Sequence, residues 1–369
     1  MNSKKISHII FYRINSSLFT CVYLCLISSF IYAQSGRVKP AETAVPTTTP
    51  RSRVIYVPTQ NGSPIPTPTP IPQTTFNENE TDIIRVDSFL IPIPVSVINS
   101  NGRVVDDLKL TDFSLLVDEK AAEISELTRS ETPVRLALLF DNSSSVTQAR
   151  EFEKKAAIKF FKRVLRPDKD LAALYSISTG SRLEQPLTKN TTQLAQAIEN
   201  FPLPQGATAL LDGVIKAANY LLEADGRRVI VIVSDGEDTN SDLETTLEKV
   251  VRAVQVANCQ VYVIKTTEFE NFKKTGLRGG NANIRALTAE RRMQELAAQT
   301  GGTVYSPIDE RELDQAFDRL AAELSQQYIL SYYPEERDKT GQFHAISLKI
   351  KGRGNLNVRT RKGYYIDKR

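Results

Sequence analysis

The sequence contains very few of the residues that build most metal and catalytic sites. Its 369 residues include only 2 histidines, 3 cysteines and no tryptophan. Of these, His8, Cys21 and Cys25 lie in the first 33 residues, so only His344 and Cys259 remain for the rest of the chain. That remainder cannot form a zinc site of histidine and cysteine ligands or an internal disulfide bond. A serine or cysteine hydrolase would have a single imidazole available as its base.

An excess of charge of one sign is also lacking. The chain carries 47 basic and 43 acidic residues, a net charge of +4, and three of the basic residues, Lys4, Lys5 and Arg13, precede residue 34. This balance argues against a general polyanion-binding protein, and we predict no nucleic-acid partner. With 41% hydrophobic residues, the chain has enough apolar material to bury a core.

Residues 1–33 have the pattern of a secretory signal peptide. Basic residues precede an apolar run from residue 18 to residue 31, and Ala33 offers a small residue for cleavage. The run is about 14 residues long, shorter than the roughly 20 that a helix needs to cross a bilayer. We predict an exported protein, in the periplasm, at the cell surface or secreted. An uncleaved N-terminal membrane tether is the alternative.

Proline and threonine dominate the next segment. Half of the 18 prolines fall between Pro40 and Pro72, in stretches such as PIPTPTPIP. Such a composition cannot continue a helix or pair as a central strand, and it favours extended polyproline-type conformations. We therefore predict a disordered stalk over residues 34–80.

The periodicity of apolar residues divides the remaining chain into an α/β domain and two flanking β segments. Over residues 133–326, apolar strands alternate with amphipathic helices, which predicts a doubly wound, mostly parallel sheet covered on both faces. Residues 81–132 and 327–369 alternate with period two, and each has too few strands to be stable alone. We predict that these segments are two halves of one small antiparallel β module, with the α/β domain inserted between them.

Two local predictions concern segments without a clear pattern. Pro92 and Pro94 interrupt the first strand of the β module, and they predict that this strand lies at a sheet edge. Residues 266–285 have no regular apolar period and predict a loop on the carboxyl edge of the parallel sheet.

Five side chains with oxygen atoms follow predicted strand ends or begin a helix. Asp141, Ser143 and Ser145 follow the first strand of the α/β domain, Asp235 follows the fourth, and Thr208 opens the helix before that fourth strand. Ligands of doubly wound sheets bind beyond the carboxyl ends of the strands. Two carboxylates and three hydroxyls suit a hard divalent cation, Mg²⁺ first and Mn²⁺ or Ca²⁺ next. Singly, each residue could simply cap a helix or form a turn.

These residues resemble a known family. The segment DNSSS matches the D-x-S-x-S signature of von Willebrand factor type A domains, while Thr208 in GATALLDGV and Asp235 in VIVSDGEDTNS match the metal-binding threonine and second aspartate of that family. The segments PVRLALLFDNSSSV and QYILSYYP also look like the bacterial von Willebrand factor A-related proteins found in acidobacteria and similar groups. Ser144 departs from the pattern, since many relatives carry glycine there.

The resemblance implies a non-enzymatic binding protein. All five positions of the metal-ion-dependent adhesion site of the family are filled: Asp141, Ser143, Ser145, Thr208 and Asp235. Such a site implies a bound Mg²⁺ ion and an unknown partner protein captured through one of its acidic residues. Two alternatives stay open: a structural or envelope-assembly scaffold whose loops the metal stabilises, and a metal-dependent hydrolase that uses Asp141.

Overall fold

The computed structural model describes residues 90–129, 132–278, 283–334 and 341–366. The predicted signal peptide and stalk lie outside these residues. Within them, no helix is long and apolar enough to cross a membrane.

The described residues form fourteen strands and seven α-helices. In chain order they are β1 (Ile91–Asn99), β2 (Phe113–Val117), β3 (Lys120–Ala122), β4 (Glu126–Arg129), β5 (Val134–Asp141), α1 (Arg150–Val164), β6 (Leu171–Ile177), β7 (Ser181–Thr188), α2 (Thr191–Glu199), α3 (Leu210–Leu222), β8 (Arg227–Ser234), α4 (Leu247–Val256), β9 (Cys259–Lys265), α5 (Thr267–Thr275), α6 (Ile284–Thr300), β10 (Val304–Tyr305), α7 (Glu310–Gln326), β11 (Tyr328–Tyr332), β12 (Phe343–Ile350), β13 (Leu356–Thr360) and β14 (Gly363–Tyr365).

A six-stranded sheet forms the centre of the α/β domain. Its strand order is β10-β9-β8-β5-β6-β7, and all pairs are parallel except β6 with β7. Alternate residues of β5 enter two different cores. Leu138 and Phe140 pack with apolar residues of α1, α2 and α7, whereas Ala137 and Leu139 pack with those of α3, α4 and α6. The predicted doubly covered, mostly parallel sheet is confirmed.

The flanking segments form two four-stranded antiparallel sheets, with strand orders β13-β1-β11-β4 and β14-β12-β2-β3. Each sheet combines strands from before and after the α/β domain. Apolar residues of both sheets share one core, for example Ile93 and Leu330 from the first and Leu115 and Ile346 from the second. The predicted insertion of the α/β domain between two β segments therefore corresponds to an insertion into a small two-sheet sandwich.

The prediction that the first strand lies at a sheet edge is wrong. β1 lies between β13 and β11, but only its half from Val95 onward pairs with β13. Pro92 and Pro94 belong to the other half, which pairs with β11 alone. Their carbonyl groups accept hydrogen bonds from the side chains of Arg361 and Thr360, at 2.7 and 3.0 Å. In a strand, the nitrogen and the carbonyl of one residue lie on the same side, so the nitrogens of Pro92 and Pro94 also face away from β11. The absence of their N–H groups therefore removes no hydrogen bond between β1 and β11.

The prediction that residues 266–285 form a loop is also wrong, because the first half of this segment is helical. α5 occupies Thr267–Thr275 and ends at Gly276, which has a left-handed φ of 70°. Phe269 of this helix is fully buried in the core beneath α1 and α7. The helix depends on this tertiary packing, because only nine residues form it and isolated helices of this length are marginal.

Candidate functional site

Asp141 is the last residue of β5 and is held at both carboxylate oxygens. The main-chain N–H of Ser143 donates to Oδ1 at 2.9 Å, and the hydroxyl of Ser234 donates to Oδ2 at 2.6 Å. Ser234 ends β8, which pairs in parallel with β5, so the two strand ends lie side by side. The side chain of Asp141 is only 1% exposed. The sheet therefore fixes a buried carboxyl group at its carboxyl edge.

The loop after β5 supplies two hydroxyl groups. The Oγ atoms of Ser143 and Ser145 are 3.0 Å apart; Ser143 is buried, whereas Ser145 is exposed. Ser144 between them ties this loop to the next one, because its main-chain N–H and its hydroxyl both contact the carbonyl of Gly206, at 3.2 and 3.1 Å. The serine that departs from the family pattern thus contributes a hydrogen bond that glycine could not make.

Thr208 is positioned by the loop that follows β8. Its N–H donates to the hydroxyl of Thr239 at 2.9 Å, and its carbonyl accepts from the N–H groups of Thr239 and Asn240 at 2.8 and 2.9 Å. Together with the contacts of Gly206, these bonds connect the loops after β5 and β8 through the segment that precedes α3. Thr208 itself is buried, at 3% exposure.

Asp235 directly follows β8. Its Oδ1 accepts from the N–H of Glu237 at 2.9 Å, and its carbonyl accepts from the hydroxyl of Thr267 at the start of α5, at 3.0 Å. The pKa of Asp141 is raised to about 7, mainly by burial and secondly by the negative charge of Asp235. The hydrogen bonds from Ser234 and Ser143 act in the opposite direction and lower this pKa. The two carboxyl groups are thus close enough to disfavour the ionisation of Asp141 when no cation is bound.

The donor set fits a hard divalent cation. In the described part of the chain, no group of three or more His, Cys, Asp or Glu residues could hold a metal ion. A cation at this edge would therefore depend on the hydroxyls of Ser143, Ser145 and Thr208 in addition to two carboxylates. Oxygen donors of this kind suit Mg²⁺, and a nearby cation would also relieve the repulsion between Asp141 and Asp235.

Two buried acids behind the site were not identified from the sequence. Glu270 of α5 accepts hydrogen bonds from the N–H groups of Gln148 and Ala149, at 3.2 and 2.9 Å, and so holds the loop that leads into α1. Glu153 of α1 is 1% exposed, and its Oε1 has no hydrogen-bond partner among the described residues. Helical spacing could have indicated Glu153, because it lies four residues before the buried Ala157.

α5 lies at the same edge as these side chains, as was predicted for the segment that contains it. Besides the contacts of Thr267 and Glu270, Lys274 donates from Nζ to the carbonyl of Ser145 at 3.3 Å. Burial is the main cause that raises the pKa of Glu270. Sequence reasoning missed these contacts because they depend on the three-dimensional packing of a helix that it did not predict.

A buried arginine supports the loop after β5 from behind. The Nη2 of Arg150 donates to the side-chain carbonyl of Asn142 at 2.8 Å and to the main-chain carbonyl of Pro202 at 2.7 Å. Arg150 is 6% exposed. The first turn of α1 is therefore hydrogen-bonded to Asn142, which lies between Asp141 and Ser143.

Comparison with known proteins places these residues in a family. Residues 136–319 match the family described as von Willebrand factor type A domain. A search of curated proteins finds no match.

Solved bacterial structures resemble the fold at low sequence identity. The PilB minor pilin from Streptococcus sanguinis is 13% identical with a TM-score of 0.40, over 53% of this chain and 62% of that chain. BatB from Bacteroides thetaiotaomicron is 18% identical with a TM-score of 0.37, and the match covers 51% of this chain and 98% of BatB. A von Willebrand factor type A protein from Catenulispora acidiphila is 12% identical with a TM-score of 0.43, and the match covers 77% of this chain and 76% of that protein. This chain thus spans less than two thirds of the length of the pilin.

Proposed function

Because the chain is a von Willebrand factor type A domain protein, the domain covering residues 136–319, we propose that it is an exported, non-enzymatic module for metal-dependent protein binding. The proposed cation is divalent, Mg²⁺ first, and its proposed ligands are Asp141, Ser143, Ser145, Thr208 and Asp235. The proposed partner is a protein that contributes an acidic residue to the cation.

The observation that carries this proposal is the buried carboxyl of Asp141 beside Asp235. A buried carboxyl with a raised pKa is costly to ionise, and such groups cluster at functional sites. Ser234 and Ser143 hold both oxygens of Asp141 in place, so the group cannot turn toward solvent. A cation bound near Asp141 and Asp235 would offset the repulsion between their two negative charges.

The five proposed ligands would contribute to cation binding in two ways. Asp141 and Asp235 supply negative charge, while Ser143, Ser145 and Thr208 supply neutral oxygens. A divalent cation held by these residues would have few charged ligands and would act as a Lewis acid toward a further carboxylate. Ser145 is the exposed member of the set, so a carboxylate of a partner protein would approach from its side.

The remaining parts of the proposal rest on the sequence. We propose that residues 1–33 direct export and that residues 34–80 form a stalk, followed by a β module (81–132 and 327–369) and the α/β domain (133–326). We also propose kinship with the bacterial von Willebrand factor A-related proteins, on the flanking segments PVRLALLFDNSSSV and QYILSYYP. The location would be the periplasm, the cell surface or the medium.

The Thr208→Ala variant tests the site. It removes one neutral oxygen without adding charge, so we expect Mg²⁺ binding measured by isothermal titration calorimetry to weaken about tenfold or more. The control is Thr192→Ala, because Thr192 is exposed on α2 and its side chain lies outside the site. Mg²⁺ affinity that is equal in wild type and Thr208→Ala would refute the assignment.

A second measurement separates binding from scaffolding. The exported region is used to capture partners from the native envelope, in Mg²⁺ and in EDTA, beside Thr208→Ala. Loss of capture in EDTA and in the variant is the expected result. Capture that persists in EDTA, with only a lower melting temperature, would favour the scaffold over the binding module.

A further inference from the structure

A cleft of about 540 Å³ opens where the α/β domain meets the β sandwich. It is bordered by the turn after β1, by Thr303 and Tyr305 around β10, and by the C-terminal half of α7. The cleft runs past β10 at one edge of the six-stranded sheet, and none of the five proposed metal ligands lines it. It is therefore separate from the proposed metal site.

Three arginines from three different elements line this cleft: Arg103 in the turn after β1, Arg319 on α7 and Arg359 on β13. Arg103 and Arg319 are exposed, and neither guanidinium forms an ion pair with a described residue. Their convergence is not a consequence of sequence proximity, since the fold brings them together from distant positions.

The two acids of the cleft are already neutralised. Glu323 is 3% exposed and forms an ion pair with Arg359, and it also accepts hydrogen bonds from the hydroxyls of Ser96 and Tyr262 at 2.6 and 2.9 Å. Asp318 forms an ion pair with Arg163 at 2.5 Å. The charges of Arg103 and Arg319 are therefore left without a counter-charge in the cleft.

Arg359 adds a donor that lacks an acceptor. Its Nε–H group is buried and has no hydrogen-bond partner in the part of the chain that the structure describes. A buried donor without a partner costs free energy. Glu323 fixes the guanidinium of Arg359 at the wall of the cleft.

From this geometry we propose that the cleft binds the oxyanion group of a small phosphorylated or sulfated molecule. The planar guanidinium fork matches the oxygens of phosphate and sulfate, and several forks around one cleft favour a tetrahedral anion. Thr303 and Arg359 also line a neighbouring cleft of about 540 Å³, which Lys362 borders and no described carboxylate lines. That second cleft offers room for the rest of the ligand.

The test uses the full chain and inorganic anions. Phosphate and sulfate are titrated separately at constant ionic strength, with isothermal titration calorimetry as the readout. We expect saturable binding of one anion per chain. Arg103→Gln and Arg319→Gln should each weaken it about tenfold, because each removes a charge-assisted hydrogen bond. The anion that binds more tightly indicates whether the natural ligand is a phosphate or a sulfate ester.

Arg311→Gln is the matched control, since Arg311 is exposed on the same helix, α7, but does not line the cleft. Its affinity should equal that of wild type. Absence of saturable binding of either anion, or an equal loss in Arg311→Gln, would overturn the proposal. Thr208→Ala should bind the anion normally, so a failed metal site and a failed oxyanion site give different results.

Discussion

Replacing Glu153 with glutamine should stabilise the protein in neutral solution. Burial raises the pKa of Glu153 well above 4.5, and the nearby charges of Glu270, Asp141 and Asp235 raise it further. In the unfolded chain this group ionises near 4.5, whereas in the folded chain it keeps its proton to higher pH. The folded state therefore binds more protons than the unfolded state, and stability falls as the pH rises.

The size of the effect follows from linkage. One proton held only by the folded state lowers the free energy of unfolding by about 1.4 kcal/mol for each pH unit. The wild type therefore loses stability at this slope from pH 4.5 up to the raised pKa of Glu153 in the folded state. Glutamine has a similar volume but does not titrate. The Glu153→Gln variant should therefore lose the contribution of this residue to the pH dependence of the free energy of unfolding.

The assay is urea unfolding in EDTA at half-unit steps from pH 4.5 to pH 7.5. The difference in unfolding free energy between Glu153→Gln and wild type should grow with pH in favour of the variant. Glu151→Gln serves as control, because the side chain of Glu151 is 68% exposed on the same helix and should change the slope little. Parallel pH profiles for Glu153→Gln and wild type would show that the reasoning about burial is mistaken.

Two further substitutions test the framework around the site. Asp170→Asn should cost about 2 kcal/mol at neutral pH in urea unfolding, because buried Asp170 accepts from Arg166 and a lowered pKa marks its stabilised charge. This cost should shrink as the pH falls through the lowered pKa of Asp170, where the wild type also loses the charge; a constant cost would contradict the ion pair. Gly302→Ala should lower the free energy of unfolding by about 2 kcal/mol or more, since an added Cβ would lie 1.9 Å from the carbonyl oxygen of Val261. Gly354→Ala, whose Cβ would meet open space, should be near neutral in the same urea unfolding assay.

Sequence reasoning predicted the strand ends of the site because local rules determine them. Apolar runs of five to seven residues, ended by Asp141 and by Ser234-Asp235, identify buried parallel strands and their carboxyl edge. Ser234 was nevertheless overlooked as a functional residue. Its hydrogen bond to Asp141 spans 93 positions and depends on which strands are neighbours, which periodicity does not reveal.

The remaining errors have the same physical origin. Whether β1 lies at an edge depends on where β13 begins to pair with it, and not on its prolines alone. α5 exists because Phe269 enters a distant core and Glu270 meets the main chain at Ala149. Each of these facts is a property of tertiary packing, whereas the sequence pattern reports mainly local preference.

The split sandwich has a consequence for synthesis on the ribosome. Ser96 of β1 and Gln327, which precedes β11, are hydrogen-bonded at 2.8 Å although they lie 231 positions apart. At about 5–20 residues per second, the ribosome needs roughly 10 to 50 seconds to make the intervening chain. During this interval β1 is an apolar strand without a partner, so the last strands to be translated decide whether the first one pairs correctly or aggregates.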